Sequence, residues 1–360
     1  MGTRPEAIKL APVLIEIQQQ PGLESVLCST GQHRELLDQV TSWFGLTPDI
    51  ELNLMTPNQD AGLFAARAMV ELSKAMHDVN PDIVVVQGDT TTAMIAALSA
   101  SYRRIAVAHV EAGLRTGELN NPFPEEINRR LISAIARYHF APTKRAADAL
   151  LRENADPAAV FQTGNTVIDA LRLTLSRLPE TARRDPGQHV ILVTTHRRES
   201  FGAGMRHSLL AMREIAERNP GVTVRFPVHL NPNVAGPAHE ILGGHPRIEL
   251  THPMRYEQFV AAMASCDLIL TDSGGIQEEA PFLGKPVVVM RTNTERPEAV
   301  EAGTAVLVGT DPARIVETTE RLLHDPAEYQ RMSRAGSPFG DGHAARRIVE
   351  VLAQFSAAGR

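Results

Sequence analysis

The fold is decided by the segment DIVVVQGDTTTAMIAALSASYR, residues 82–103. Its first part is a continuous apolar run rich in β-branched residues, which is typical of a parallel strand buried on both faces. Gly88 and Asp89 then form a turn, and the threonines that follow can cap the helix predicted for the alanine-rich remainder. The segment therefore predicts one strand–turn–helix unit of an α/β protein.

The same alternation of short apolar strands and amphipathic helices runs through the whole chain. The other strand candidates of the first half are SVLCST (25–30), RIAVAHVE (104–111), YHFAPT (138–143) and VFQTGN (160–165). Those of the second half are HVILVTTH (189–196), VTVRFPVH (222–229), RIELTH (247–252), LILTDS (268–273), KPVVVM (285–290) and AVLVGT (305–310). The pattern predicts two doubly wound, Rossmann-like domains, with ligands bound in a cleft at the carboxyl ends of the strands.

The boundary between the two domains is predicted after VFQTGN. We expect an N-terminal domain over residues 1–165, a C-terminal domain over 166–342, and a last helix, 343–360, that joins the N-terminal domain. A chain of 360 residues is long enough for two domains of this size.

Composition excludes several classes of function. The net charge of −6 gives no electrostatic reason to expect nucleic acid or a membrane surface as a partner. The longest apolar runs have the length of strands, so no bilayer-spanning segment is predicted. Cys28 and Cys266 are too few for a disulfide framework, and no His or Cys spacing matches a metal site. We therefore predict a cytoplasmic protein without a metal.

The segment LTDSGGIQEEAPFLGKP, residues 270–286, is the strongest local signal of a binding site. The strand is predicted to end at Asp272, and Ser273, Gly274 and Gly275 would form a turn that opens a helix. The exposed N–H groups of such a helix start favour phosphate, and Glu279 one turn later could accept from ribose hydroxyls. The simpler interpretation is a strand–turn–helix junction that needs glycine only for its geometry. The spacing matches neither a P-loop nor a GxGxxG motif, which argues against NAD.

Three carboxylates stand at strand ends or helix starts in the first half. Asp89 and Glu111 end neighbouring strand candidates, and Glu125 opens a helix after a proline-rich turn. Carboxylates brought close together raise the pKa of at least one of them, which yields a proton donor near neutral pH. For each one alone, helix capping or stabilisation of the helix dipole is an equally ordinary role.

Histidines and cations occupy comparable positions. His196 and His229 end two strand candidates of the second half, where a histidine can act as acid or base or bind phosphate. Arg4, Lys9 and Arg296 lie in turns or at helix starts, where they could neutralise a diphosphate. Their simpler interpretation is structural for the histidines and solvated charge for the cations.

Nine motifs, in this order, carry a resemblance to a known family. They are GTRPEAIK (2–9), GDTTT (88–92), HVEAGLRTG (109–117), PEEINR (124–129), TGNTVIDAL (163–171), HRRESFG (196–202), PVHLNPNV (227–234), TDSGGIQEEAPFLGKPV (271–287) and TERPEAV (294–300). Together they resemble the bacterial non-hydrolysing UDP-N-acetylglucosamine 2-epimerases over nearly the whole chain. The resemblance implies two Rossmann-like domains in the glycosyltransferase-B arrangement, a homodimer, and no redox cofactor or metal.

The family resemblance also implies a reaction and a site. UDP-N-acetylglucosamine and UDP-N-acetylmannosamine would be interconverted by anti-elimination of UDP to a bound 2-acetamidoglucal, followed by re-addition. The implied catalytic set is Asp89, Glu111, Glu125 and His196. The implied UDP-sugar contacts are Arg4, Lys9, Phe259, Ser273, Gly274, Gly275, Glu279 and Arg296. A second UDP-N-acetylglucosamine, bound as activator, would contact Gln32, His33, Arg67 and His229.

Three alternatives stay open at the level of the sequence. A hydrolysing epimerase would release UDP and free N-acetylmannosamine, and a glycosyltransferase of the same fold would need an acceptor. A nucleotide-sugar sensor without activity would keep the fold, although the intact set of acid–base residues argues against it. The nature of the product, and exchange of the carbon 2 proton with solvent, distinguish these alternatives.

The start of the chain departs from the family pattern. Family members have a short apolar strand before GTRPE, whereas Met1 alone precedes Gly2 here. We expect the absence of that strand to leave its neighbours with an unpaired edge and Arg4 loosely held.

Overall fold

The computed structural model describes residues 1–31, 34–56, 60–120, 122–179, 187–197 and 200–358. The strands are Cys28–Ser29 (β1), Ile50–Glu51 (β2), Ile83–Gln87 (β3), Ala106–Val110 (β4), Tyr138–Ala141 (β5), Val160–Gln162 (β6), His189–Thr194 (β7), Val222–Pro227 (β8), Ile248–Thr251 (β9), Leu268–Thr271 (β10), Val287–Val289 (β11) and Ala305–Leu307 (β12).

The helices alternate with these strands along the chain. They are Arg4–Gln19 (α1), Arg34–Phe44 (α2), Ala61–Val79 (α3), Thr91–Tyr102 (α4), Glu125–Ile135 (α5), Lys144–Arg152 (α6), Thr166–Leu175 (α7), Ala203–Arg218 (α8), Pro232–Leu242 (α9), Tyr256–Ser265 (α10), Gly274–Glu279 (α11), Pro297–Glu301 (α12), Pro312–His324 (α13), Pro326–Ser333 (α14) and Ala344–Ala358 (α15). Within the described residues, no helix is both long enough and apolar enough to cross a membrane.

The chain folds into two compact units. The N-terminal unit comprises Met1–Leu173 and Phe339–Arg360, and the C-terminal unit comprises Thr174–Pro338. Each unit has a parallel sheet with helices packed on it, so the predicted α/β class with two Rossmann-like domains is confirmed.

The N-terminal unit is built on the parallel sheet β3-β4-β5-β6, and β1 and β2 pair as a separate ladder. One apolar core contains side chains of α3, α4 and α5 together with Val86 and Val107 of the sheet. A second core packs α1 and α15 against Val110 and Phe140. Both faces of the sheet are therefore covered, which explains why its strands are largely apolar.

The first turn of the chain is closely packed. The Met1 amino group donates to the Cys28 carbonyl at 2.9 Å, and the Thr30 amide donates to the Met1 carbonyl at 2.9 Å. The Glu6 carboxylate accepts from the amides of Gly2 and Thr3 at 2.9 and 2.8 Å, which anchors the start of α1. A Cβ on Gly2 would lie 2.4 Å from Thr30 Oγ1, so this position requires glycine.

The observed division between the units lies eight residues beyond the predicted one, inside α7. Asp169 of this helix accepts from the amides of Ala344 and Ala345 at 3.1 and 2.9 Å, and Arg172 donates to the Gly342 carbonyl at 3.0 Å. These bonds fasten the start of α15 to α7, so most of α7 belongs to the N-terminal unit instead of opening the C-terminal one.

The C-terminal unit contains a six-stranded parallel sheet in the order β12-β11-β10-β7-β8-β9. The chain builds β7, β8 and β9 in one direction and then returns to place β10 on the other side of β7. The carboxyl ends of β7 and β10 thus form a topological switch point, where open α/β sheets bind ligands. The largest buried cluster of this unit packs α8, α9 and α13 on the sheet.

The surroundings of Gly113 predict how a substitution there affects stability. Gly113 has φ 87°, and a Cβ there would lie 2.2 Å from the Ala146 carbonyl oxygen of α6. We expect Gly113→Ala to cost about 2–4 kcal/mol of stability, because positive φ and backbone overlap add together. Gly117→Ala is the matched control, since Gly117 has φ 84° and open space around it. Equal melting temperatures for the two variants would contradict this prediction.

Candidate active site

Glu111 follows β4 directly, next to the end of β3, where Gln87 pairs with Val110 in the ladder. Several donors converge on its carboxylate, among them Lys9, Asn165 and Gln87. Lys9 Nζ lies 2.5 Å and Asn165 Nδ2 3.2 Å from Oε1, and the Gln87 side-chain amide donates to Oε2. The residue is 8% exposed. The buried carboxylate is therefore held by a cation and by two side-chain amides.

The backbone of Glu111 adopts the left-handed conformation, with φ 65°. That conformation costs a residue with a Cβ about 1 kcal/mol and persists where surrounding bonds enforce it. Here the Gly88 amide donates to the Val110 carbonyl and the Ala112 amide to the Phe140 carbonyl, each at 3.0 Å. These bonds fix the chain on both sides of Glu111 and thereby set the direction of its side chain.

Asp89 lies two residues beyond β3 and is bound to the first turns of α5. Arg129 Nη2 contacts Asp89 Oδ2 at 2.5 Å, and the Asn128 side chain donates to the Asp89 carbonyl at 2.8 Å. Arg129 also contacts Glu126, which is fully buried, at 3.3 Å. The Thr90 hydroxyl accepts from the Ala93 amide and caps α4, as predicted for the threonines after Asp89, so the helix does not need the Asp89 side chain as its cap.

Glu125 is the first residue of α5. Its Oε2 atom is buried and, within the described residues, has no hydrogen-bond partner. An unsatisfied buried carboxylate oxygen costs free energy, and such groups concentrate at functional sites. The position therefore supports a chemical role for Glu125 in addition to its favourable place at the helix N-terminus.

Two buried histidines lie side by side on adjacent strands of the N-terminal sheet. His109 and His139 are register partners in β4 and β5. His109 Nε2 lies 2.8 Å from the Gly88 carbonyl, which ties the turn before Asp89 to β4. Burial lowers the pKa of His109 from 6.5 to about 4, and burial followed by the charge of Arg115 lowers the pKa of His139.

The pKa of His109 predicts a loss of stability in acid. Between pH 6.5 and about 4 the unfolded chain takes up a proton that the folded chain refuses. The contribution of neutral His109 to the free energy of unfolding is therefore fully present above pH 6.5. It is lost as the pH falls toward 4, by at most about 3 kcal/mol. His109→Gln keeps a donor for Gly88, and we expect it to flatten the decline in melting temperature between pH 7 and pH 5. The exposed His252→Gln should leave that decline unchanged; identical profiles for all three proteins would refute the assignment.

At the switch point of the C-terminal unit, Asp272 organises the loop that follows β7. Its carboxylate accepts from the Thr195 hydroxyl at 2.7 Å, the His196 amide at 3.0 Å and the Arg197 amide at 2.9 Å. Asp272 is only 1% exposed. A single buried side chain thus determines the path of the segment that carries His196.

His196 itself lies at the rim of this sheet. Its ring stacks on that of His229, with centroids 5.8 Å apart and an angle of 21° between planes, and its Nδ1 lies 3.6 Å from Asp272 Oδ1. Burial, together with the charges of Arg197 and His229, lowers the pKa of His196, although Asp272 opposes the shift. A neutral imidazole near pH 7 can accept a proton and can donate a hydrogen bond through its N–H.

The predicted Ser-Gly-Gly turn is present at the end of β10. The Ser273 amide donates to Thr271 Oγ1 at 2.9 Å, and α11 starts at Gly274. A Cβ on Gly274 would lie 3.5 Å from Arg197 Nη2, so this turn has a guanidinium beside it, and Gly275 follows within the helix. Backbone amides next to a cation are suited to an anionic ligand.

The acidic and basic residues after this turn form ion pairs. Arg296 pairs with the buried Glu278, while Glu279 is 7% exposed. Arg291 donates to Glu295 at 2.7 Å, and Arg197 lies 3.6 Å from it. Burial alone would raise the pKa of Glu295, but Arg291 and Arg197 lower it to about 2. Glu295 therefore stays ionised and holds two cations in place.

A model of the protein family described as UDP-N-acetylglucosamine 2-epimerase matches residues 15–353. The chain belongs to this family. It is 51% identical to the UDP-N-acetylglucosamine 2-epimerase of Salmonella typhimurium, over 98% of this chain and 97% of the relative. The corresponding enzyme of Bacillus subtilis is 48% identical, over 98% of this chain and 93% of the relative.

Solved structures of UDP-N-acetylglucosamine 2-epimerases agree with this assignment. The Neisseria meningitidis enzyme bound to UDP-GlcNAc superposes with a TM-score of 0.92 at 45% identity and covers 98% of both chains. The Methanocaldococcus jannaschii enzyme in complex with UDP-GlcNAc and UDP gives a TM-score of 0.81 at 34% identity, again over 98% of both chains. The resemblance stated from the motifs is confirmed.

The epimerase fold brings several of the predicted residues into defined surroundings. Lys9 contacts Glu111, and Arg296 contacts Glu278. Phe259 is half-buried on α10, and Arg67 is exposed on α3, where it donates to Thr56 Oγ1 at 3.1 Å. Gln32 and His33 lie outside the described residues, so their predicted part in an activator site stays a prediction.

The sequence did not reveal the hydrogen-bond partners of the residues that were predicted to act as acids or bases. These are Gln87, Asn128, Arg129, Asn165 and Asp272. Three of them carried a usable signal, because Gln87, Asn165 and Asp272 each stand at the end of a strand candidate, as the predicted carboxylates do.

Proposed function

We propose that this protein interconverts UDP-N-acetylglucosamine and UDP-N-acetylmannosamine by changing the configuration at carbon 2. The observation that carries the proposal is Glu111, whose backbone has a positive φ and whose buried carboxylate accepts from Lys9, Gln87 and Asn165 beside the turn that carries Asp89. Family membership supports the substrate, because the Neisseria meningitidis relative is bound to UDP-GlcNAc.

The proposed reaction begins with anti-elimination. A carboxylate takes the carbon 2 proton, the C–H electron pair becomes a C1–C2 double bond, and the bond from carbon 1 to oxygen breaks with its electrons on UDP. Re-addition reverses these changes after a proton reaches carbon 2 from the opposite face. The carbon 2 proton that is removed first is weakly acidic, so departure of UDP must assist its removal. Because the second proton arrives on the other face, acids and bases are needed on both faces of the sugar. Asp89, Glu111 and Glu125 supply three candidate groups.

Stabilisation of the UDP leaving group is assigned to the C-terminal unit. Gly274 and Gly275 offer amides and Ser273 offers its hydroxyl to the diphosphate, with Arg197 beside them, and His196 helps the diphosphate leave. Glu279 would accept from the ribose, and Phe259 would lie along the uracil. Arg296 would exchange Glu278 for the diphosphate, and Arg4 and Lys9 would add positive charge.

One experiment separates this function from its alternatives. The protein is incubated with UDP-N-acetylglucosamine in deuterium oxide without NAD, and the products are followed by NMR. Deuterium at carbon 2 together with UDP-N-acetylmannosamine supports the epimerase. Free N-acetylmannosamine with UDP would instead indicate the hydrolysing enzyme, and activity only with an added acceptor would indicate a glycosyltransferase. No exchange at high enzyme concentration, with excess UDP-N-acetylglucosamine as activator, would overturn the proposal.

Further parts of the proposal concern assembly and location. We propose a homodimer, activation by a second UDP-N-acetylglucosamine that contacts Arg67 and His229, and a role in supplying cell-surface polysaccharides. The free thiols Cys28 and Cys266 are consistent with a reducing cytoplasm. Light scattering tests the dimer, and the dependence of the initial rate on substrate concentration tests the activation.

A further inference from the structure

The amide side chains of Gln87 and Asn165 meet the same carboxylate from two different strand ends. Gln87 is the last residue of β3 and is 3% exposed; Asn165 lies beyond β6 and is 2% exposed. Both donate to Glu111, over sequence separations of 24 and 54 residues. A buried side-chain amide without a hydrogen bond costs free energy, so the folded chain favours the bonds of both amides to Glu111.

The orientation of the Asn165 amide follows from its second bond. Its Oδ1 accepts from the Val167 amide at 3.0 Å, at the start of α7. A backbone N–H can only donate, so the oxygen must face Val167 and the NH₂ group must face Glu111. Asn165 therefore presents a donor to the carboxylate for as long as α7 keeps its start.

We propose that Gln87 and Asn165 are positioning residues that hold the Glu111 carboxylate in one rotamer, as the proton acceptor for carbon 2 of the sugar. This inference rests on the proposed function and assigns a role to side chains outside its acid–base set. Lys9 alone could balance the charge of Glu111, but a flexible ammonium does not fix a direction. Two side-chain amides that are held at rigid strand ends do fix the direction of the carboxylate, and neither amide ionises near pH 7.

The test uses variants that remove a donor and spare the packing. Asn165→Asp keeps an oxygen for the Val167 amide but loses the NH₂ group, and Gln87→Met keeps the length and apolar stem of the side chain. For each variant we expect kcat to fall about 10²-fold, with KM for UDP-N-acetylglucosamine within about threefold, because misplacement of a reacting group affects the chemical step. Gln162→Glu, at an exposed position on β6, is the control for added charge and should match the wild type.

A double-variant cycle separates positioning from general structural damage. In a Glu111→Gln background the carboxylate is already absent, so adding Asn165→Asp should not lower the remaining carbon 2 exchange further. A second loss of similar size would overturn the inference, as would single variants with wild-type kcat and unchanged melting temperature. If either Asn165→Asp or Gln87→Met unfolds the protein, the remaining variant is tested alone and in the Glu111→Gln background in the same way. A wild-type protein without exchange would contradict the proposed function itself, which is a different outcome.

Discussion

Replacing Asp89 with asparagine is expected to lower turnover of UDP-N-acetylglucosamine by about 10²–10⁴-fold, the usual contribution of a general acid or base. The substitution keeps the size of the side chain and an oxygen for Arg129, whose Nη2 lies 2.5 Å from Asp89 Oδ2. The charge and the ability to exchange a proton are lost. The measurement is kcat at saturating substrate, beside the melting temperature.

The control for the Asp89 substitution is Asp148→Asn. Asp148 pairs with the exposed Lys144 at 2.7 Å on α6, so the same chemical change occurs at the surface. This variant should keep wild-type kcat. An Asp89→Asn protein with kcat within threefold of the wild type would remove Asp89 from the acid–base set.

Replacing Asp272 with alanine is expected to cost about 3–5 kcal/mol of stability and to abolish activity. The change leaves the buried Thr195 hydroxyl and the partly buried amides of His196 and Arg197 without their common acceptor, and a donor that loses its partner away from water carries a desolvation cost. The path of the His196 loop should be lost with it. Thermal unfolding reports the cost, and hydrogen exchange at the two amides reports the loop.

Two other variants calibrate the Asp272 result. Asp272→Asn retains one acceptor oxygen and should lose less stability than Asp272→Ala. Asp311→Ala removes a carboxylate that accepts from the Arg314 amide at the exposed start of α13, and a helix cap of this kind is worth about 1 kcal/mol. Equal losses for Asp272→Ala and Asp311→Ala would contradict the role given to Asp272.

The strands were predictable because burial on both faces leaves a plain signal. Each predicted strand contains an observed one, from Cys28–Ser29 to Ala305–Leu307, whereas the two-residue β2 at Ile50–Glu51 was missed. Such a short strand has no periodicity to read. The predicted boundary after Asn165 differed because it was placed at the end of the strand candidate VFQTGN, before α7, whereas the bonds of Asp169 to Ala344 and Ala345 hold most of α7 in the N-terminal unit.

The site was predictable only as far as strand ends reveal it. Asp89 and Glu111 follow strands of the N-terminal sheet, and His196 and Ser273 follow strands of the C-terminal sheet; within each sheet, parallel strands bring their carboxyl ends to one edge. Which distant side chains meet there depends on strand order. Asn165 reaches Glu111 because β4, β5 and β6 are neighbours, and a single sequence does not contain that order.

The last residues of the chain complete the first unit. Ile348 and Leu352 of α15 belong to the same buried cluster as Val13 of α1 and Phe140 of β5. During synthesis, the C-terminal unit, Thr174–Pro338, leaves the ribosome as one uninterrupted stretch, whereas the N-terminal unit must wait for its closing helix. The N-terminal unit is therefore synthesised first but completes its folding last. A nascent chain halted before Phe339 would expose the apolar surface of α1 that α15 covers.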